Sequence, residues 1–201
     1  MNSLKTGDLI LFCGNISGFM GCFSDFIKCA THSNYSHIGM ILKDPSFIHP
    51  SLKGTYVWES GWEDFDKDAQ DGKVKLGVQI TPLAEIIKNF QKSIVIVRKI
   101  NCDPSHFSNE TLEKIHNVVY DKPYDIVPTD WVEALFRKDP TPQRTDRFWC
   151  SALVGYIYTK CGILHPTTDW TILRPSDFSV DGEHLMFTKG CSLSHSETRI
   201  K

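Results

Sequence analysis

The chain has 201 residues and a formal net charge of −2, with 41% hydrophobic and 23% charged residues. These values fit a single globular domain with a sizeable core. Nothing in them predicts nucleic-acid binding, which usually shows a concentrated basic face. Purely apolar runs such as residues 94–97 fall far short of the ~18–20 residues that a membrane span needs.

Residues 1–12 hold one lysine, then Gly7 and Asp8, then Leu9-Ile10-Leu11-Phe12. The pattern is too short and too broken for a secretory signal, so a cytoplasmic location is expected. The run 9–12 reads as a short buried strand. Residues 19–29 place Phe19, Cys22, Phe23, Phe26 and Ile27 on one helical face. Residues 35–42 read as a strand that Asp44-Pro45 ends. Residues 56–60 are a further strand. Residues 63–75 form a polar, mostly acidic loop closing on the Asp71-Gly72 turn signal, and are expected as solvated surface.

Val74, Leu76, Val78 and Ile80 then alternate with polar residues or glycine, the pattern of a half-buried strand. Thr81-Pro82 predicts a helix start, with Thr81 as cap and an apolar face of Leu83, Ile86, Ile87 and Phe90. Residues 93–100 predict a central strand. Ser108 or Asn109 caps a helix carrying Leu112, Ile115, Val118 and Val119, and Asp130 caps a shorter one. A charged loop over 138–147 leads into an amphipathic helix that opens at Cys150 and stops at Gly162. Residues 1–190 are expected as one domain and 191–201 as a polar, frayed tail. The class is α+β, with helices against an antiparallel sheet.

The seven cysteines are Cys13, Cys22, Cys29, Cys102, Cys150, Cys161 and Cys191. Their odd number and irregular spacing point to reduced thiols. Cys29 and His32 could form half of a zinc site, but no second half with suitable spacing follows. Cys150 differs from the others by position. The first turn of a helix supplies unpaired N–H groups and the positive dipole end, which favour a thiolate and could hold an oxyanion. A thiol nucleophile also needs a base and a group that orients the base. His37 is the candidate base because Ser36-His37-Ile38-Gly39 places it in a strand, and Gly39 on the same face leaves room for a neighbour. Glu59, in Tyr56-Val57-Trp58-Glu59-Ser60, is the candidate orienting carboxylate if its strand lies beside that of His37. Ser36, Trp58, Trp149 and Ser151 are candidate substrate contacts.

With these residues assembled, the chain resembles the circularly permuted branch of the NlpC-type, papain-like cysteine hydrolases, and within it the YiiX-like group. The matching pieces are Thr6-Gly7-Asp8-Leu9-Ile10, Tyr35-Ser36-His37-Ile38-Gly39, Val57-Trp58-Glu59-Ser60 and Thr81-Pro82-Leu83. They continue with Tyr120-Asp121-Lys122-Pro123-Tyr124-Asp125, Phe148-Trp149-Cys150-Ser151-Ala152-Leu153-Val154 and Arg174-Pro175-Ser176-Asp177-Phe178. Ala152 departs from the pattern, since many relatives carry Glu there. The resemblance implies a papain-like antiparallel sheet or barrel packed on helices. It implies a triad of Cys150 as nucleophile, His37 as base and Glu59 as orienting acid, in the inverted chain order of the permuted branch. The implied reaction is acyl transfer on an amide, peptide, ester or thioester, with a small-molecule, peptide or lipid acyl substrate. It needs no cofactor or metal, and no integral membrane segment is expected. The rival reading is a non-catalytic binding module that keeps the fold, and a third is a metal protein using Cys29 and His32.

Overall fold

Short apolar runs broken by Gly, Pro and Asp recur through the first half of the chain, and most become strands. The computed structural model describes residues 4–13, 34–61, 67–89, 93–125 and 143–201. The strands are β1 (Leu9–Cys13), β2 (Tyr35–Lys43), β3 (Thr55–Gly61), β4 (Gly77–Pro82), β5 (Ile94–Asn101) and β6 (Ser192–Arg199). The helices are α1 (Leu83–Asn89), α2 (Asn109–Val119) and α3 (Cys150–Lys160). The expected helices at 19–29 and after Asp130 lie outside the described residues, as do Cys29 and His32.

The strands form one sheet in the order β4-β3-β2-β1-β5-β6. Every neighbouring pair is antiparallel. The protein is therefore α+β. Side chains alternate between the two faces. Leu9, Leu11, Ile38, Met40, Leu42, Trp58 and Ile80 belong to the larger core, together with Leu112 and Ile115 of α2 and Leu153 and Ile157 of α3. Ile10, Phe12, Ile41, Val57 and Val95 form a smaller core with Leu83 and Ile86 of α1. Each such side chain removed from water contributes roughly 1.5–3 kcal/mol before entropy is counted.

Helix α2 starts where the sequence predicts, with Ser108 Oγ accepting from Thr111 N at 3.3 Å. Helix α3 departs from the expectation of an amphipathic helix. Every residue from Cys150 to Tyr158 is buried, as befits a helix enclosed on all sides. Cys161 caps its C-terminal end, and Gly162 follows at φ +69°, a left-handed conformation that glycine adopts without penalty.

Four further expectations are corrected. Residues 191–201 are not a frayed tail, because Ser192–Arg199 is a strand paired with β5. Arg98 holds it from β5, donating from Nε to Ser194 O at 3.0 Å. Strand β4 begins only at Gly77, and Val74 and Leu76 are 49% and 45% exposed. The alternation inverts there because Lys75 turns inward, with Nζ 2.7 Å from Asp68 Oδ2 and 2.9 Å from Asp71 Oδ2. The described part of the acidic loop is accordingly not simply solvated, since Asp68 is fully buried. Finally, Thr81 is a strand residue rather than a helix cap. Its hydroxyl donates to Glu59 Oε1 at 3.1 Å.

Candidate active site

Where β2 runs beside β3, their pairing extends from Lys43↔Thr55 to Met40↔Trp58. His37, Ser36 and Gly39 on β2, and Glu59, Ser60 and Gly61 on β3, lie beyond that last paired position. Pairing of β3 with β4 continues to Gly61↔Gly77, so Glu59 remains anchored from its other side, opposite Gln79. The segment leading into α3 meets β3 at this point. Ser60 Oγ donates to the Phe148 carbonyl at 2.6 Å. The N-terminal end of α3 is thereby fixed against the strand that carries Glu59.

By sheet alternation His37 and Glu59 share a face. His37 Nε2 lies 2.7 Å from Glu59 Oε2. Both residues are buried, at 7% and 3% relative exposure. Gly39 permits the approach. A β-carbon there would run into Val57 Cγ1 and stand 3.3 Å from Glu59 Cβ. The ring of His37 also tilts against Phe12, with centroids 5.4 Å apart, so imidazole orientation is fixed by packing as well as by hydrogen bonding.

The third member is Cys150, whose thiol is hydrogen-bonded to His37. Carboxylate oxygens accept, so Nε2 carries a proton toward Glu59, which leaves Nδ1 for the sulfur. Burial opposes charge on His37, but the hydrogen bonds and charges of Cys150 and Glu59 outweigh it and raise its pKa from 6.5 to about 10. The favoured state near neutral pH is an imidazolium held between a sulfur and a carboxylate. Trp149, the N-cap of α3, supplies no side-chain cap. The first backbone N–H groups of the helix therefore keep their capacity to bind a developing negative charge beside Cys150.

The structure thus brings Cys150, His37 and Glu59 together. It assigns other duties to three of the expected substrate contacts. Ser36 Oγ donates to Phe12 O at 3.2 Å, and Ser151 Oγ donates to Leu173 O at 2.7 Å. Both serines are buried and brace the strand that carries His37 and the helix that carries Cys150. Trp58 is 1% exposed and packs with Phe47 and His116 in the core. Only Trp149 remains half-buried beside Cys150, with its indole Nε1 donating to Leu173 O at 3.4 Å.

Two residues gain a place that motif reading did not give them. Residues 123–125 run alongside 147–149, through a parallel bridge between Tyr124 and Phe148. Asp125 N donates to Phe148 O at 3.2 Å, and Phe148 N donates to Pro123 O at 3.1 Å. That pairing sets buried Tyr124 near Cys150. Burial first, then the charges of Cys150 and Asp125, hold its phenol well above the usual tyrosine pKa. Its hydroxyl therefore stays a proton donor at any physiological pH. Gln79, opposite Glu59, is the second. It is 1% exposed, and its Oε1 has no hydrogen-bond partner among the described residues.

Among the described residues no cluster of three His, Cys, Asp or Glu side chains is arranged to hold a metal ion. No described helix is long and apolar enough to cross a membrane. No protein-family model matches the sequence, and no curated protein matches it.

Proposed function

We propose that this protein is a thiol-dependent acyl-transfer hydrolase with a permuted papain-like fold of the YiiX-like kind, in which Cys150 is the nucleophile. The observation that carries the reading is the position of His37. It is hydrogen-bonded to Cys150 and to Glu59 at once, and its pKa is raised by both. A pocket that only binds needs no thiol aligned with an imidazole and a carboxylate.

The chemistry runs in two halves. Cys150 Sγ attacks the acyl carbonyl carbon, and the oxyanion is held by backbone N–H groups at the start of α3, with the Tyr124 hydroxyl as a further donor. His37 gives its proton to the departing amine, alcohol or thiol as the tetrahedral intermediate collapses to an acyl-thioester. Water, or another acceptor, then attacks the thioester and passes its proton to His37. Cys150 leaves as thiolate, and the acid or transferred ester is released. Glu59 holds the imidazole ring in one orientation throughout. The substrate is a small-molecule, peptide or lipid acyl compound, the reaction needs no cofactor, and the compartment is the cytoplasm.

The test is acylation by an activated ester such as p-nitrophenyl acetate, with intact-mass and peptide analysis. The expected result is one acetyl group on Cys150, formed faster than on any other cysteine and absent in Cys150→Ala. Turnover that persists in Cys150→Ala, or acetylation spread evenly over the thiols, would remove Cys150 as the nucleophile.

A further inference from the structure

A second group of thiols lies away from Cys150, where β5 ends and β6 begins. The ladder pairs Ile100 with Leu193 and Asn101 with Ser192. Carried one residue further, the same antiparallel register sets Cys102 opposite Cys191. Opposed Cα atoms in an antiparallel pair stand about 4.5–5.5 Å apart, inside the roughly 4.4–6.8 Å that a disulfide spans. The two thiols are within hydrogen-bonding reach of each other. Both are free cysteines, Cys102 half-buried and Cys191 buried.

A base stands beside them. His106 Nε2 is 3.6 Å from Cys191 Sγ. His106 Nδ1 lies 2.7 Å from the Cys161 carbonyl, which can only accept, so Nδ1 carries the ring proton. In the neutral imidazole Nε2 is then the acceptor, aimed at the Cys191 thiol. Register, thiol proximity and an oriented base thus converge on one pair of sulfurs.

We infer that Cys102 and Cys191 form a peroxide-driven modification site, closing to a reversible disulfide that staples β6 to β5. The Cys191 sulfur attacks one oxygen of a hydroperoxide. The O–O bond breaks, the thiol proton passes by way of His106 to the departing oxygen, and water (or an alcohol) leaves with Cys191 as a sulfenic acid. Cys102 sulfur then attacks Cys191 Sγ. The S–O bond breaks, and the hydroxide leaves as water with the Cys102 proton. Two thiols are oxidised by two electrons and one peroxide is reduced. Cys161 is the nearby competitor. Burial raises the Cys102 thiol as well, and burial with the charge of Cys102 pushes the Cys161 thiol up to about 12, which keeps Cys161 protonated and a poor attacker. The site uses none of the Cys150 triad, so it stands or falls independently of the proposed hydrolase.

The experiment treats the reduced, full-length protein with hydrogen peroxide, blocks remaining thiols with N-ethylmaleimide, and maps peptides without reduction. The expected result is a linked peptide pair containing Cys102 and Cys191, lighter by two hydrogens and separated by dithiothreitol. In Cys102→Ser the link should vanish and Cys191 should trap dimedone as a sulfenic acid. Recovery of both cysteines as maleimide adducts, under peroxide that oxidises Cys150, would overturn the inference. A Cys102–Cys161 link instead would overturn it too. So would stoichiometric zinc that shields the pair until a chelator removes it.

Discussion

His37 Nε2 and Glu59 Oε2 lie 2.7 Å apart in a site where both side chains are buried. Neither residue could be left alone there at low cost, because an unpaired buried charge or polar group is strongly unfavourable. Their contact couples β2 to β3 beyond the last backbone pairing between them. It also fixes the orientation of the imidazole beside the Cys150 thiol.

Glu59→Gln keeps the size of the side chain and removes the carboxylate. The acceptor facing His37 becomes a neutral amide oxygen, and the interaction loses about 1–2 kcal/mol of charge assistance. Turnover should fall about 10–100-fold, and alkylation of Cys150 by iodoacetamide near neutral pH should slow in step. His37→Ala should slow alkylation further. Rates in both variants equal to those of the unaltered protein would show that the three groups do not act as a unit.

Stability should depend on pH through the same pair. His37 has its folded pKa raised from 6.5 to about 10. A group with a raised folded pKa binds its proton more tightly when folded, so its contribution is fully present below the unfolded value and is lost as pH rises through the folded value. Urea midpoints should therefore fall between pH 6.5 and about 10. The decline should be shallower in Glu59→Gln, where part of the raising influence is gone. Parallel declines in the two proteins would assign the pH dependence to other groups.

Much of this site was legible in the sequence, and the limits have physical causes. His37 stood out because a strand pattern surrounds it, and Cys150 because a helix opens there. Both are local signals. That β3 lies beside β2 could only be supposed, since strand adjacency is set by the whole sheet. Thr81 read as a helix cap because Thr-Pro satisfies the local rule. In the fold its hydroxyl serves Glu59 instead, a long-range demand that outweighs a cap. Ser192–Arg199 looked like a frayed tail because Leu193 is its single apolar residue, too little to mark an edge strand. Its pairing comes from β5 and from Arg98. Tyr124 was visible as a motif residue without a role, because its place depends on a bridge to the distant Phe148.

Tyr124→Phe tests that place. The substitution removes one hydroxyl and preserves the ring packed in the site. A donor acting on the developing oxyanion is worth about 10²-fold in kcat, with KM little changed. The comparison should use a substrate with a good leaving group, so that His37 protonation is not limiting. A change confined to KM would make Tyr124 a ground-state contact, and no change would make it packing.

Lys75 offers a test of the fold rather than of the site. Its ammonium, 9% exposed, is bound by Asp68, by Asp71 and, at 3.3 Å, by Asp121, and sits 4.4 Å above the Tyr120 ring. Burial opposes its charge, but the hydrogen bonds and charges of Asp68 and Asp71 raise its pKa overall. Asp68 is the residue at risk if Lys75 is lost. It is fully buried and also accepts from Gln70 N and Ile80 N at 3.1 and 3.3 Å. Lys75→Met preserves the bulk of the stem and strands that carboxylate without its cation. Removing one partner of a buried pair costs about 3–5 kcal/mol, so the variant should unfold at a markedly lower urea concentration at pH 7. Asp68→Asn in the same background removes the stranded charge and should restore part of the loss. A double variant no more stable than Lys75→Met would mean that the lysine acts through its packing on Tyr120, not through the carboxylate.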